Sequence, residues 1–274
     1  MRSRRRIALL LVSAGALGVG LIALPASAAA APPAVPTCAF PATAGSDSCD
    51  TIVATGSPNP IGTAYENITM GVRVRSQFDP ATSETTSVNL KFDQDIKFNL
   101  GTVAGTCTAA TLSGKTIQQA YNVCGPGPGG SNTYLSAAGH VSGVGSTTVT
   151  GIDACTMIFK GASNTQVLIY ARAPIGSPSS ECNNPGTNTA GSATVVFTGT
   201  LSHQPVASPY DWTLNIPNTH TANPSLDDFG ATITRGTALQ AKCIPAGSTE
   251  AMQGTWDYTG GGDANDTFTD TDPC

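Results

Sequence analysis

Residues 87–100 read SVNLKFDQDIKFNL, and apolar side chains recur at every second position of this stretch. The pattern is interrupted once, near Gln94, and its apolar members are Val88, Leu90, Phe92, Ile96, Phe98 and Leu100. Successive residues of a strand lie on opposite faces of a sheet, so a period of two indicates strands with one buried face and one solvated face. The stretch therefore predicts sheet structure packed on one side against a core.

Similar patterns continue along the chain. Residues 68–74 alternate in the same way, and residues 155–160 and 166–172 are two apolar runs around a turn at 161–164, which is typical of a hairpin. Later strands are predicted at residues 193–201, 212–216, 229–234, 239–243 and 255–258. About ten short strands between Gly, Pro and Asn turns predict an all-β fold, an antiparallel immunoglobulin-like β-sandwich.

One short helix is predicted among the strands. Ile117, Ala120, Tyr121 and Cys124 recur at helical spacing, with Ser113 or Thr116 as the capping residue. The glycines and prolines of residues 125–130 cannot continue this helix. A disulfide would pin it to the chain that precedes it.

The sequence contains eight cysteines, an even number that suggests four disulfides in an exported protein. No two of them form a C-x-x-C pair, which argues against a zinc ribbon or a thioredoxin-type redox site. Spacing alone leaves the pairing open, and free thiols are the alternative. Because each neighbouring pair brackets one local unit, we predict the pairs Cys38–Cys49, Cys107–Cys124, Cys155–Cys182 and Cys243–Cys274.

The N-terminus has the pattern of a secretory signal peptide. Four arginines precede an apolar segment at residues 7–24, and an A-x-A cleavage site follows at residues 26–28. An uncleaved membrane anchor is the alternative. We predict a signal peptide at residues 1–28, an N-terminal extension with a small disulfide loop at 29–60, and a single β-sandwich domain at 61–274. The expected location is outside the cell or on its wall.

The charge balance bears on the possible partners. Cleavage would remove four of the 13 basic residues and none of the 18 acidic ones, which leaves a clearly acidic chain. Nucleic acids and anionic membranes are bound through an excess of Lys and Arg. We therefore expect no nucleic-acid partner, and membrane contact only through the cleaved signal peptide.

Four stretches carry a resemblance to a known group of proteins, namely residues 87–100, 107–112, 155–160 and 226–236. Their strand and cysteine patterns resemble those of exported actinobacterial proteins of unknown function, over most of the mature chain. These motifs are structural and include no catalytic residues. The resemblance therefore implies a fold class and a compartment, and it implies no activity.

Motifs for catalysis are weak. The glycines of residues 125–130 match the spacing of a dinucleotide fingerprint, but they follow a helix and are interspersed with prolines, whereas the fingerprint opens a helix. Asp227 and Asp228 are adjacent, so on a strand they would lie on opposite faces. Of the three histidines, His140, His203 and His220, none has a neighbouring nucleophile motif.

The C-terminal segment is the best candidate for a ligand site. It contains the oxygen donors that calcium prefers, at Asp263, Asn265, Asp266, Asp270 and Asp272. The segment lacks the glycine and the glutamate of an EF-hand loop, and a solvated acidic tail is the alternative. Apart from possible calcium, no cofactor is predicted.

These observations favour a non-enzymatic interaction or structural module that contacts a protein or a polysaccharide at the cell surface. One alternative is a carbohydrate-binding module, with Tyr210, Trp212, Trp256 and Tyr258 as the candidate rings. Another is a secreted hydrolase whose catalytic residues assemble only in the folded chain.

Overall fold

The computed structural model describes residues 51–57, 62–75, 84–126, 129–144, 152–174, 192–203, 209–217, 225–233, 235–245, 249–259 and 266–273. Within these ranges the chain consists mainly of antiparallel strands, which confirms the predicted all-β class. The immunoglobulin-like arrangement remains a prediction. The predicted signal peptide and most of the predicted extension lie outside the described residues.

The described elements are two short helices and a series of strands. The helices are α1 (Ala109–Leu112) and α2 (Ile117–Cys124), and 3₁₀ turns occur at Leu100–Thr102 and Gly236–Ala238. The strands are β1 (Thr51–Ser57), β2 (Glu66–Asn67), β3 (Thr69–Arg75), β4 (Glu84–Asp93), β5 (Ile96–Phe98), β6 (Ser136–Val144), β7 (Ile152–Lys160), β8 (Gln166–Pro174), β9 (Ser192–His203), β10 (Tyr210–Pro217), β11 (Ser225–Ile233), β12 (Leu239–Ala241), β13 (Thr249–Thr259) and β14 (Asp266–Pro273).

Two sheets contain these strands. The larger sheet has 11 strands in the order β1-β3-β11-β6-β7-β8-β9-β10-β4-β13-β14. Its two end strands, β1 and β14, lie beside each other, so the sheet curls around its own core. The smaller sheet has three strands in the order β2-β12-β5 and supplies Ile96, Phe98, Leu239 and Ala241 to that same core.

The stretch 87–100 joins the two sheets. Val88, Leu90 and Phe92 are buried in β4, as predicted, and Phe98 is buried in β5. The interruption near Gln94 is a turn at which the chain leaves the larger sheet and enters the smaller one. The sequence pattern predicted the buried positions but not the change of sheet.

The main core lies inside the curled sheet and contains a small cavity of about 40 Å³. Its lining is apolar and includes Leu90, Phe92, Ile169 and Leu201. Small-molecule pockets usually span roughly 300–1,000 Å³. This cavity is therefore a packing defect of the core, too small for a ligand of ordinary size.

The predicted hairpin is confirmed as β7 and β8, and both of its faces are covered. Ile158 and Ile169 belong to the main core, whereas Phe159 and Leu168, on the other face, pack against the helices. A strand that is buried on both faces has a continuous apolar run rather than an alternation. This explains the unbroken runs in residues 155–160 and 166–172.

The helical segment packs on the outside of this hairpin. Helix α2 spans the predicted residues and is capped by Thr116, whose side chain accepts from the backbone N–H of Gln119 in a capping box. A disulfide joins Cys107 to Cys124, as predicted. The Tyr170 hydroxyl donates to the Lys115 carbonyl at 2.6 Å, which fastens the loop between the helices to β8.

The other predicted disulfides depend on residues that the structure does not describe. Cys38, Cys49, Cys182 and Cys274 all lie outside the described ranges. Cys155 lies in β7, and Cys243 is buried with its Sγ 3.5 Å from the Pro245 carbonyl oxygen. Their pairings remain predictions.

Candidate functional site

The predicted calcium segment is a strand over much of its length. Asp266, Asp270 and Asp272 belong to β14, which pairs residue by residue with β13, while Asp263 and Asn265 lie outside the described residues. In the described ranges no group of three or more His, Cys, Asp or Glu side chains is arranged to hold a metal ion. The five residues are therefore not seen together as a site.

His203 is the histidine whose surroundings are described. Its Nε2 lies 3.8 Å from the Asp211 carboxylate, and its ring packs against Trp212 with 4.7 Å between the centroids. No serine, threonine or cysteine side chain hydrogen-bonds to it in the part of the chain that the structure covers. A His–Asp pair orients an imidazole, but acyl transfer also needs a nucleophile within hydrogen-bond reach.

Of the four aromatic candidates, Tyr210 and Trp212 are those whose side-chain surroundings the structure describes. Trp212 is partly buried, and its ring meets the core ring of Phe98 at 5.7 Å. Tyr210 is half-buried at the start of β10, and Trp256 and Tyr258 lie in β13. Trp212 therefore contributes to the core rather than to a stacking platform.

Burial affects one further tyrosine. Tyr134 packs between Tyr121 and Phe159, with ring centroids 5.4 and 5.7 Å away. Burial raises the pKa of the Tyr134 hydroxyl above its ordinary value, and the neighbouring Tyr121 contributes to the rise. This tyrosine is held protonated beside the helices and belongs to their packing.

An array of polar side chains lies on the outer face of the larger sheet, among the residues whose side chains the structure describes. We call it the polar sheet face, and it spans four neighbouring strands. Its members are Ser87, Asn89 and Lys91 of β4, Thr200 and Ser202 of β9, Thr213 and Asn215 of β10, and Gln253, Thr255 and Asp257 of β13. Alternation assigns all of them to the face opposite Val88, Leu90 and Phe92.

Direct hydrogen bonds run across this face from strand to strand. The Asn215 side chain donates to Asn89 Oδ1 at 2.5 Å, and Asn89 Nδ2 donates in turn to Asp257 Oδ2 at 3.3 Å. The Ser87 hydroxyl also donates to the Asp257 carboxylate. Cross-strand pairs of this kind hold the side chains in fixed orientations on three adjacent strands.

The face has almost no net charge. Its single lysine, Lys91, donates to Gln253 Oε1 at 2.9 Å, and its single carboxylate, Asp257, accepts from two neighbours. What the face presents outward is a set of amide and hydroxyl groups. Such a surface is suited to neutral, hydroxyl-rich ligands rather than to ions.

The sequence predicted the outward residues of β4 but not this site. Asn89 and Lys91 alternate with buried residues, so their solvated face could be inferred from position alone. Their neighbours Asn215 and Gln253 are brought beside them by pairings between strands that are distant in sequence. No local signal indicates that these strands are adjacent.

In the described ranges no helix is long and apolar enough to cross a membrane. No family model, curated protein or solved structure matches this chain, so its resemblance to exported actinobacterial proteins remains a prediction.

Proposed function

We propose that the chain is an exported, non-enzymatic β-sandwich module whose polar sheet face binds a hydroxyl-rich polymer at the cell surface. One observation carries the proposal: the hydrogen-bonded set of side chains that crosses β13, β4 and β10. It favours the carbohydrate-binding alternative, in a form that binds sugars through hydrogen bonds to their hydroxyl groups rather than through aromatic rings stacked on them.

The chemistry of the face supports a polysaccharide ligand. A sugar hydroxyl both donates and accepts hydrogen bonds, and an Asn or Gln amide offers both functions side by side. Because the face is part of a sheet and not a pocket, it suits an extended chain of sugars better than a single small molecule. The described cavity is apolar and too small to compete as a site.

The existing hydrogen bonds support binding at a low entropic cost. Immobilising a flexible side chain on binding costs roughly 0.5–1.5 kcal/mol. Asn89 is already held by Asn215 and Asp257, and Gln253 by Lys91. Much of this loss of side-chain entropy therefore occurs when the protein folds, before the ligand binds.

Export is the part of the proposal that rests on the N-terminal sequence. We expect the protein isolated from its producing cells to begin near Ala29, because the A-x-A site ends at Ala28. Mass spectrometry of the culture medium and of the wall fraction measures this directly. Recovery of the intact chain with Met1 in the membrane fraction would refute export by cleavage.

Polymer binding is tested by removing two amides from the centre of the face. The double substitution Asn89→Ala and Asn215→Ala should weaken binding to neutral polysaccharides by about tenfold or more, because both groups lose their sugar contacts. A pull-down with insoluble cellulose, chitin, starch and peptidoglycan first identifies the polymer that the parent chain binds. The affinities of the parent chain and of the double variant for that polymer are then compared.

Helix α2 offers a matched control. The Gln118 side chain donates to Asn122 Oδ1 at 2.9 Å, an amide pair on a different surface. The double substitution Gln118→Ala and Asn122→Ala should leave binding within about twofold of the parent chain, since such surface changes are mild. Equal losses in the two double variants, or no binding of any of the polymers, would contradict the proposal.

A further inference from the structure

We propose a second binding site on the outer face of the smaller sheet, for the carboxylate or phosphate group of an anionic polysaccharide. We call it the small-sheet patch, and it consists of Tyr65, Asn67, Lys97, Gln240 and Lys242. It lies on a different sheet from the polar sheet face and requires a different ligand chemistry.

A tyrosine ring gathers two positive charges at the patch. The ammonium groups of Lys97 and Lys242 lie 5.3 and 5.0 Å from the centroid of the Tyr65 ring. The face of an aromatic ring attracts cations, so the ring holds together two groups that would otherwise repel each other. Tyr65 itself is 42% exposed, which leaves the patch open to a ligand.

In the part of the chain that the structure describes, one of the two lysines lacks an acidic partner. Lys242 Nζ lies 3.6 Å from Asp95 Oδ1, while the side chain of the nearby Glu66 accepts from the backbone N–H of Gly62. Among the described residues, no carboxylate lies within 4 Å of the Lys97 ammonium group. Counting only the residues that the structure describes, the patch therefore carries one positive charge without a paired carboxylate, on a protein that is acidic as a whole.

Two amides lie in line with this charge. Asn67, Gln240 and Lys97 are directly opposite one another across β2, β12 and β5, and Gln240 Nε2 donates to Asn67 Oδ1 at 3.1 Å. An ammonium group beside oriented amides matches an acidic sugar, in which an anion and several hydroxyls lie on one ring. A neutral sugar would leave the charge unused, whereas an acidic sugar can engage both the ammonium group and the amides.

Three polymer probes distinguish a carboxylate ligand from a phosphate ligand. Polygalacturonate carries carboxylates, a glycerol-phosphate polymer carries phosphates, and dextran carries neither. Isothermal titration with the full mature chain should show binding to at least one of the two anionic polymers, and this binding should weaken as salt is raised. The polymer that binds identifies the anion, and either result supports the proposal.

Variants locate the binding on the patch. Lys97→Gln should weaken binding of the anionic polymer by about tenfold, because a charge-assisted contact is lost. Tyr65→Ala should also weaken it, since the ring no longer holds the ammonium groups. Lys115→Gln, which removes one charge beside the helices, should change the affinity by less than about twofold.

The proposal would be overturned if neither anionic polymer bound, or if Lys97→Gln and Lys115→Gln weakened binding equally. It would also be overturned if dextran bound as tightly as the anionic polymers and this dextran binding disappeared in Lys97→Gln. The amide variants of the polar sheet face separate the two proposals. The double substitution Asn89→Ala and Asn215→Ala should leave binding of the anionic polymer intact, whatever it does to neutral polysaccharides.

Discussion

Replacement of Phe92 by alanine should lower the free energy of unfolding by about 3–5 kcal/mol, the usual cost of removing a buried aromatic ring. Phe92 is 2% exposed, and its ring meets that of Phe98 at 4.8 Å, where the two sheets share one core. It also lines the existing cavity, which the substitution would enlarge. Urea denaturation with the disulfides intact measures the loss, which is large against a typical domain stability of about 5–15 kcal/mol.

The neighbouring residue provides the control. Lys91 lies on the opposite face of the same strand, where its ammonium group donates to Gln253. Lys91→Ala should therefore cost no more than about 1 kcal/mol. If Phe92→Ala prevents folding altogether, Phe92→Leu, which keeps much of the volume, should yield a folded protein of intermediate stability. Similar losses at positions 91 and 92 would mean that the faces of β4 are wrongly assigned.

Removal of the Cys107–Cys124 disulfide should have the second largest effect. The bond joins two cysteines that are 17 positions apart in sequence, and the loop that it closes contains both helices. In the chain-entropy model a loop of about 15 residues contributes roughly 3 kcal/mol. The double substitution Cys107→Ala and Cys124→Ala should therefore lower the free energy of unfolding by about 3 kcal/mol, again measured in urea.

Packing must be separated from the covalent constraint, because both sulfur atoms are also buried among apolar side chains. The double substitution of both cysteines by valine restores most of the lost volume but not the bond. If the constraint dominates, the valine and alanine variants should lose similar amounts of stability. Hydrogen exchange should also accelerate more in α2 than in β8. An alanine variant with the urea midpoint of the parent chain would refute this account.

The local elements of the fold could be predicted because their causes are local. The capping residue, the helical spacing and the terminating glycines define α2 within residues 116–125. The hairpin of β7 and β8 is likewise defined by two apolar runs and the turn between them. The Cys107–Cys124 pair brackets one such unit, so proximity in sequence was enough to identify it.

The arrangement of the strands could not be predicted, because it depends on pairings that no local pattern encodes. Strand β4 lies between β10 and β13, and β11 lies between β3 and β6. Strands such as β6 also escaped prediction, since its sequence SAAGHVSGV has few large apolar residues and two glycines. Both proposed sites combine residues from several strands, so neither site can be recognised until the order of the strands is known.

The position of β4 in the larger sheet has a consequence for the order in which the protein can fold. On β4, Asn89 is separated along the chain by 126 residues from Asn215 and by 168 from Asp257, its partners on either side. Contacts so distant in sequence form slowly, because a long stretch of chain must be ordered before they are made. Strand β4 lacks both of its partner strands until the C-terminal third of the chain is available for folding. A strand with one apolar face and two open edges can pair with other chains, so aggregation competes with folding until β10 and β13 are in place.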